Sequence, residues 1–69
     1  MRIVKIVERK INERNLMLDV FAEMEDGSVQ KVVSYYDDEI SFTDEELIGL
    51  TKDECRDLYF QKDKEYLQS

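Results

Sequence analysis

Sixty-nine residues carrying seventeen acids against ten bases give a net charge of −7, with one cysteine and no histidine. These counts exclude an intrachain disulfide, histidine-based acid–base catalysis and a histidine–thiolate zinc cage. Two glycines exclude a glycine-rich phosphate cradle as well.

The length allows one domain, read as residues 1–69 with the sheet in 1–36 and a helical part in 43–67. No apolar run approaches the roughly 20 residues that span a bilayer. The opening stretch, Met1 to Glu8, has charges within its apolar part and no small-residue cleavage site, so it does not read as a signal peptide. The single thiol, Cys55, suits a reducing compartment, and a cytoplasmic protein is expected. Charge is unevenly spread. Residues 1–36 carry six Lys or Arg against six acids, whereas 37–69 carry four against eleven. The excess acidity therefore lies entirely after Tyr36. It disfavours direct contact with nucleic acid or an anionic membrane.

In chain order, Arg2 to Ile11 reads as a strand, connected through residues 12–15 to a second strand over 15–25. There Leu16, Leu18, Val20, Ala22 and Met24 alternate with mostly polar residues, the period of a half-buried strand. Asp26-Gly27 is a strong hairpin signal, read as the two loop residues of a type I′ turn. A third strand follows over 28–36. This turn places Glu25 opposite Ser28, Met24 opposite Val29, Val20 opposite Val33 and Leu18 opposite Tyr35. Pairing Ile11 with Leu16 places Val7 beside Val20 and Ile3 beside Met24. The other face then collects Val4, Ile6, Met17, Phe21, Val32 and Tyr36, with Ile6, Phe21 and Val32 in a row. That face is too apolar for a solvated one and is expected to meet a partner.

Beyond Tyr36, Asp37, Asp38 and Glu39 mark a loop, and Ile40 and Phe42 are expected to anchor the crossing to the helices. Thr43 with Glu46, and Thr51 with Glu54, each have the spacing of a capping box. A short helix over about 44–48 is stopped by Gly49, and Phe42 and Leu47 are placed for a hydrophobic staple. A longer helix over 52–67 carries a stripe of Cys55, Leu58, Tyr59, Lys62 and Tyr66, with the Lys62 amine in water. The fold expected is α+β: a three-stranded antiparallel meander followed by a short helix and a longer one packed on one face.

No catalytic group, cofactor or metal is expected. Seventeen acids supply no preferred general acid, and Cys55 sits on a buried stripe without a base. Asp37, Asp38, Glu39, Asp44, Glu45 and Glu46 lack the alternation and central glycine of a calcium loop. The leading reading is a non-enzymatic protein-binding module, with another protein or a second copy of the chain as partner. Its expected contact residues are Ile6, Met17, Phe21, Val32 and Tyr36. Two alternatives stand beside it. One is an acidic mimic of nucleic acid that inhibits a basic protein through Asp37, Asp38, Glu39, Asp44, Glu45, Asp53, Glu54 and Asp57. The other is an oligomer that binds a small ligand.

The run Tyr35-Tyr36-Asp37-Asp38-Glu39-Ile40-Ser41-Phe42-Thr43, with Glu46-Leu47-Ile48-Gly49-Leu50-Thr51 and Lys62-Asp63-Lys64-Glu65-Tyr66-Leu67, resembles small acidic proteins of phages and prophages. The resemblance implies a protein that modulates a host factor by binding it, and it supplies no site residues.

Overall fold

A computed structural model describes residues 1–68; Ser69 lies outside them. Three antiparallel strands, β1 (Ile3–Ile11), β2 (Leu18–Met24) and β3 (Val29–Tyr35), form one sheet in the order β1-β2-β3. Helices α1 (Asp44–Leu47) and α2 (Lys52–Gln68) follow and pack against it. This is the expected α+β meander with a short and a long helix.

The core lies between the sheet and the helices. Val20, Ala22 and Met24, from the even positions of β2, are buried with Ile3, Val33, Tyr35, Phe42, Leu47 and Cys55. Both capping boxes form. Thr43 Oγ1 accepts from the Glu46 amide at 3.1 Å while the Glu46 carboxylate accepts from the Thr43 amide at 2.9 Å. Thr51 and Glu54 repeat this at 3.1 and 3.0 Å. Each threonine cap contributes about 1 kcal/mol. Gly49, at φ 92°, supplies the left-handed turn that ends α1. Phe42 and Leu47, the expected staple pair, share the core. The 49–50 segment also binds the open edge of β1, through Ile3 N–H to the Leu50 carbonyl at 2.8 Å and Gly49 N–H to the Ile3 carbonyl at 2.9 Å.

The register departs from expectation in three places, each with a local cause. The Asp26-Gly27 turn is not type I′, because Asp26 keeps a negative φ and Gly27 alone is left-handed, at φ 87°. A three-residue loop results, closed by Met24 N–H to the Ser28 carbonyl at 2.8 Å, and it needs one left-handed residue instead of two. Asp26 tightens the loop by accepting from the Ser28 amide and hydroxyl. Glu23, not Met24, therefore faces Val29, and Glu25 donates its amide to Arg2 instead of facing Ser28. A bulge at Val32 absorbs the extra residue, so that Val20 meets Val33 and Leu18 meets Tyr35 as the pattern required.

β1 carries two further irregularities, between Ile3 and Lys5 and between Ile6 and Glu8. Ile3 meets Met24 as expected, but Arg9 instead of Val7 lies opposite Val20, and Ile11 meets Leu18 instead of Leu16. The inward positions of β1 become Ile3, Ile6 and Arg9, three apart. Val4 and Val7, at the irregularities, are about half exposed on an edge strand. Bulges on an edge discourage pairing with another sheet.

Candidate functional site

The expected second apolar face is not assembled. Its members are dispersed by the same bulges. Ile6 lies opposite Ala22 on the helix side and packs on the core. Val32 is 8% exposed and belongs to the core. Met17 sits half-buried in the β1–β2 connection, and Tyr36 is exposed beyond the end of β3. Phe21 alone remains on the outer face, between Glu8 and Lys31, with the Lys10 ammonium 5.5 Å from its ring centre. Around it stand the exposed or half-exposed cross-strand pair Lys5 and Glu23, and a buried Asp19, whose carboxylate accepts from the Ser34 hydroxyl at 2.6 Å. This face is polar, as one solvated face of an antiparallel sheet should be.

The acidic residues of the alternative reading are partly committed to structure. Asp44 bonds Arg9 at 2.6 Å, Glu54 caps α2 and meets Arg2 at 3.0 Å, and Asp53 lies 3.5 Å from Arg56. Asp37, Asp38, Glu39, Glu45 and Asp57 are exposed. Among the described residues, no group of three or more acidic, cysteine or histidine side chains converges as metal ligands would. Cys55 is fully buried, and burial, aided by the Glu54 charge, pushes its thiol up and away from the reactive thiolate.

A concave surface lies instead between β3 and α2. A groove of about 350 Å³ is lined by Val32, Val33, Ser34, Lys52, Asp53, Arg56 and Tyr59. The bulge builds it. In a regular strand adjacent side chains point to opposite faces, yet Val32 and Val33 both line this groove and both are buried. Three of the four α2 contributors fall at i, i+4 and i+7 (Lys52, Arg56, Tyr59), the spacing of one helical face, with Asp53 beside Lys52. Tyr59 is fixed from behind by a parallel stack on Phe42, with ring centres 6.4 Å apart, and Phe42 in turn packs on Tyr35 at 4.9 Å. Burial, reinforced by the Asp63 charge, holds the Tyr59 phenol above its ordinary value.

The rim is cationic in a chain that is otherwise acidic. Of the four bases after Tyr36, Lys52 and Arg56 stand here. Lys52 Nζ reaches the Gln30 amide oxygen at 3.3 Å, and Arg56 makes a long, exposed pair with Asp53. Lys62 is consumed elsewhere: expected with its amine in water, it donates to the Ser41 carbonyl at 2.8 Å, meets Glu46 at 2.7 Å and lies over the Phe42 ring. On the opposite flank of α2, a depression of about 420 Å³ has Leu50 and Leu58 beneath Glu46, Glu54 and Asp57.

β3 is an edge strand, hydrogen-bonded only to β2 within the sheet. The signal for this site in the sequence was weak. Lys52, Arg56 and Tyr59 share a helical face, but nothing marks Val32 as the bulged residue that completes the floor. Among the described residues, no helix is long and apolar enough to cross a membrane. Comparison with protein-family models, with curated proteins and with solved structures gave no match to this chain.

Proposed function

We propose that this chain is a small protein-binding module that performs no chemistry of its own and docks its partner along the β3–α2 groove. One observation carries the reading: an edge strand lies beside an apolar-floored groove closed on its far side by a helix. Extended segments of partner proteins are recognised in such places; the Val32 bulge interrupts the β3 edge as a pairing surface, so here the groove taking side chains is the main element. The buried free thiol suits a reducing setting, for which we propose the cytoplasm. The resemblance to small acidic phage and prophage proteins would make the partner a host factor.

Affinity capture from cells that express the chain tests this with three baits: the native chain, Lys52→Glu/Arg56→Glu at exposed groove positions, and Phe21→Asp on the outer face. A specific prey, a second copy of the chain included, should be held by the native and Phe21→Asp baits and lost by the groove variant. A prey lost by Phe21→Asp and retained by the groove variant would move the site to the outer face. Loss of the prey in high salt from all three baits alike would favour the acidic-mimic reading, since exposed charge pairing is screened by salt while apolar docking is not.

A further inference from the structure

The groove also indicates what kind of segment fills it. Its floor is hydrocarbon, from Val32 and Val33, with the Tyr59 ring as one wall. Its rim carries two cations one helical turn apart, Lys52 and Arg56, against the single carboxylate of Asp53. The Arg56–Asp53 pair is 3.5 Å long, with side chains 66% and 86% exposed, so it is worth little and can be exchanged for a better partner. The rim also sits at the first turns of a 17-residue helix, where the helix dipole favours negative charge. The remainder of residues 37–69 is strongly acidic and repels anions at long range, which selects against polyacidic segments.

We infer that the docked segment is an extended, largely apolar peptide with one acidic side chain, whose carboxylate meets Lys52 and Arg56 while its apolar neighbours lie on Val32, Val33 and Tyr59. This rests on the groove being the docking site. A planar carboxylate suits the guanidinium fork of Arg56, and the ammonium of Lys52 serves as a point charge beside it.

The probes are two peptides, acetyl-Val-Glu-Val-Ile-amide and its counterpart with Gln in place of Glu, titrated into the full ¹⁵N-labelled chain and followed by amide and Arg Nε chemical shifts. The Glu peptide should move the β3 amides from Lys31 to Tyr35 and the Arg56 Nε resonance. Its Kd should be about fivefold lower than that of the Gln peptide, as for an exposed ion pair of about 1 kcal/mol. The preference should vanish in Lys52→Gln/Arg56→Gln, whose two changes are at exposed positions and leave the other shifts in place. Equal binding of both peptides at β3 would overturn the acidic-residue inference while leaving the groove as a docking site. Shifts confined to other surfaces, or none at β3 up to millimolar peptide, would overturn both.

Discussion

Arg9 on β1 and Asp44 in the first turn of α1 lie 2.6 Å apart, and the same guanidinium donates to the Tyr35 hydroxyl on β3 at 2.9 Å. One side chain thus crosses the central strand above Val20 and ties both edge strands to the helical layer. Arg9→Ala should lower stability by about 1 kcal/mol, limited by the exposure of Asp44 and increased by loss of the Tyr35 contact. Arg9→Lys should recover less than half, because an ammonium lacks the fork that serves two acceptors. Urea midpoints of the two variants check this.

Leu16 adopts φ 62°, the left-handed conformation that L side chains resist, and it is 71% exposed. The β1–β2 connection requires that geometry: Leu16 N–H closes onto the Asn12 carbonyl, and Asn12 N–H onto the Met17 carbonyl, each at 2.8 Å. Leu16→Gly should therefore stabilise the chain by about 0.5–1 kcal/mol despite the added freedom of glycine in the unfolded state. A fall in melting temperature would show that Leu16 makes packing contacts that its exposure conceals.

Cys55 should behave as a core residue. Its labelling by a thiol reagent in native conditions should be limited by opening of the fold and accelerate to the free-thiol rate in denaturant. Cys55→Ser should cost about 1–3 kcal/mol, because it buries a hydroxyl in place of a thiol. Rapid labelling of the native chain would contradict a packed α2–sheet contact.

The helix caps should make the fold acid-sensitive. Lys62 Nζ at 2.7 Å and the Thr43 amide hold the Glu46 carboxyl below its ordinary value of 4.5. The Thr51 amide, assisted by Arg2, does the same for Glu54. Both groups titrate lower in the folded chain than in the unfolded one. Their stabilisation is therefore complete above about pH 4.5 and drains away as the pH falls through the folded values. Glu46→Gln should lower stability at pH 7 and flatten the loss as the pH falls below about 4.5, converging with the native chain at the acid end. Parallel curves would show that Glu46 contributes nothing through its charge.

The sequence conveyed the elements better than their registration. The two Thr-x-x-Glu boxes and the left-handed Gly49 stop are local signals with local physics, and each forms at its expected position, whereas the alternation expected over 15–25 forms a strand only over Leu18–Met24, with Leu16 left in the connection at positive φ. A bulge leaves no such mark. In β1 the regular period predicts Val7 inward opposite Val20, whereas the structure places Arg9 there, because two extra residues let a long cation reach Tyr35 and Asp44. In β3, Val32 was read as outward by parity. The three-residue turn at Asp26-Gly27 shifted the strand by one residue, and the bulge that corrected the shift carried Val32 inward. A one-residue slip inverts the faces of a strand. For that reason Val32 lies on the floor of the β3–α2 groove and not on the outer face, within a fold that is otherwise the expected one.

The most direct test of the central claim is site-specific photo-crosslinking in cells that express the chain. A photoreactive side chain is placed at Lys52 or Arg56, on the groove, or at Glu23, on the opposite face. The groove positions should give one discrete cross-linked protein and position 23 should not. A discrete product from position 23, with none from 52 or 56, would contradict docking between β3 and α2.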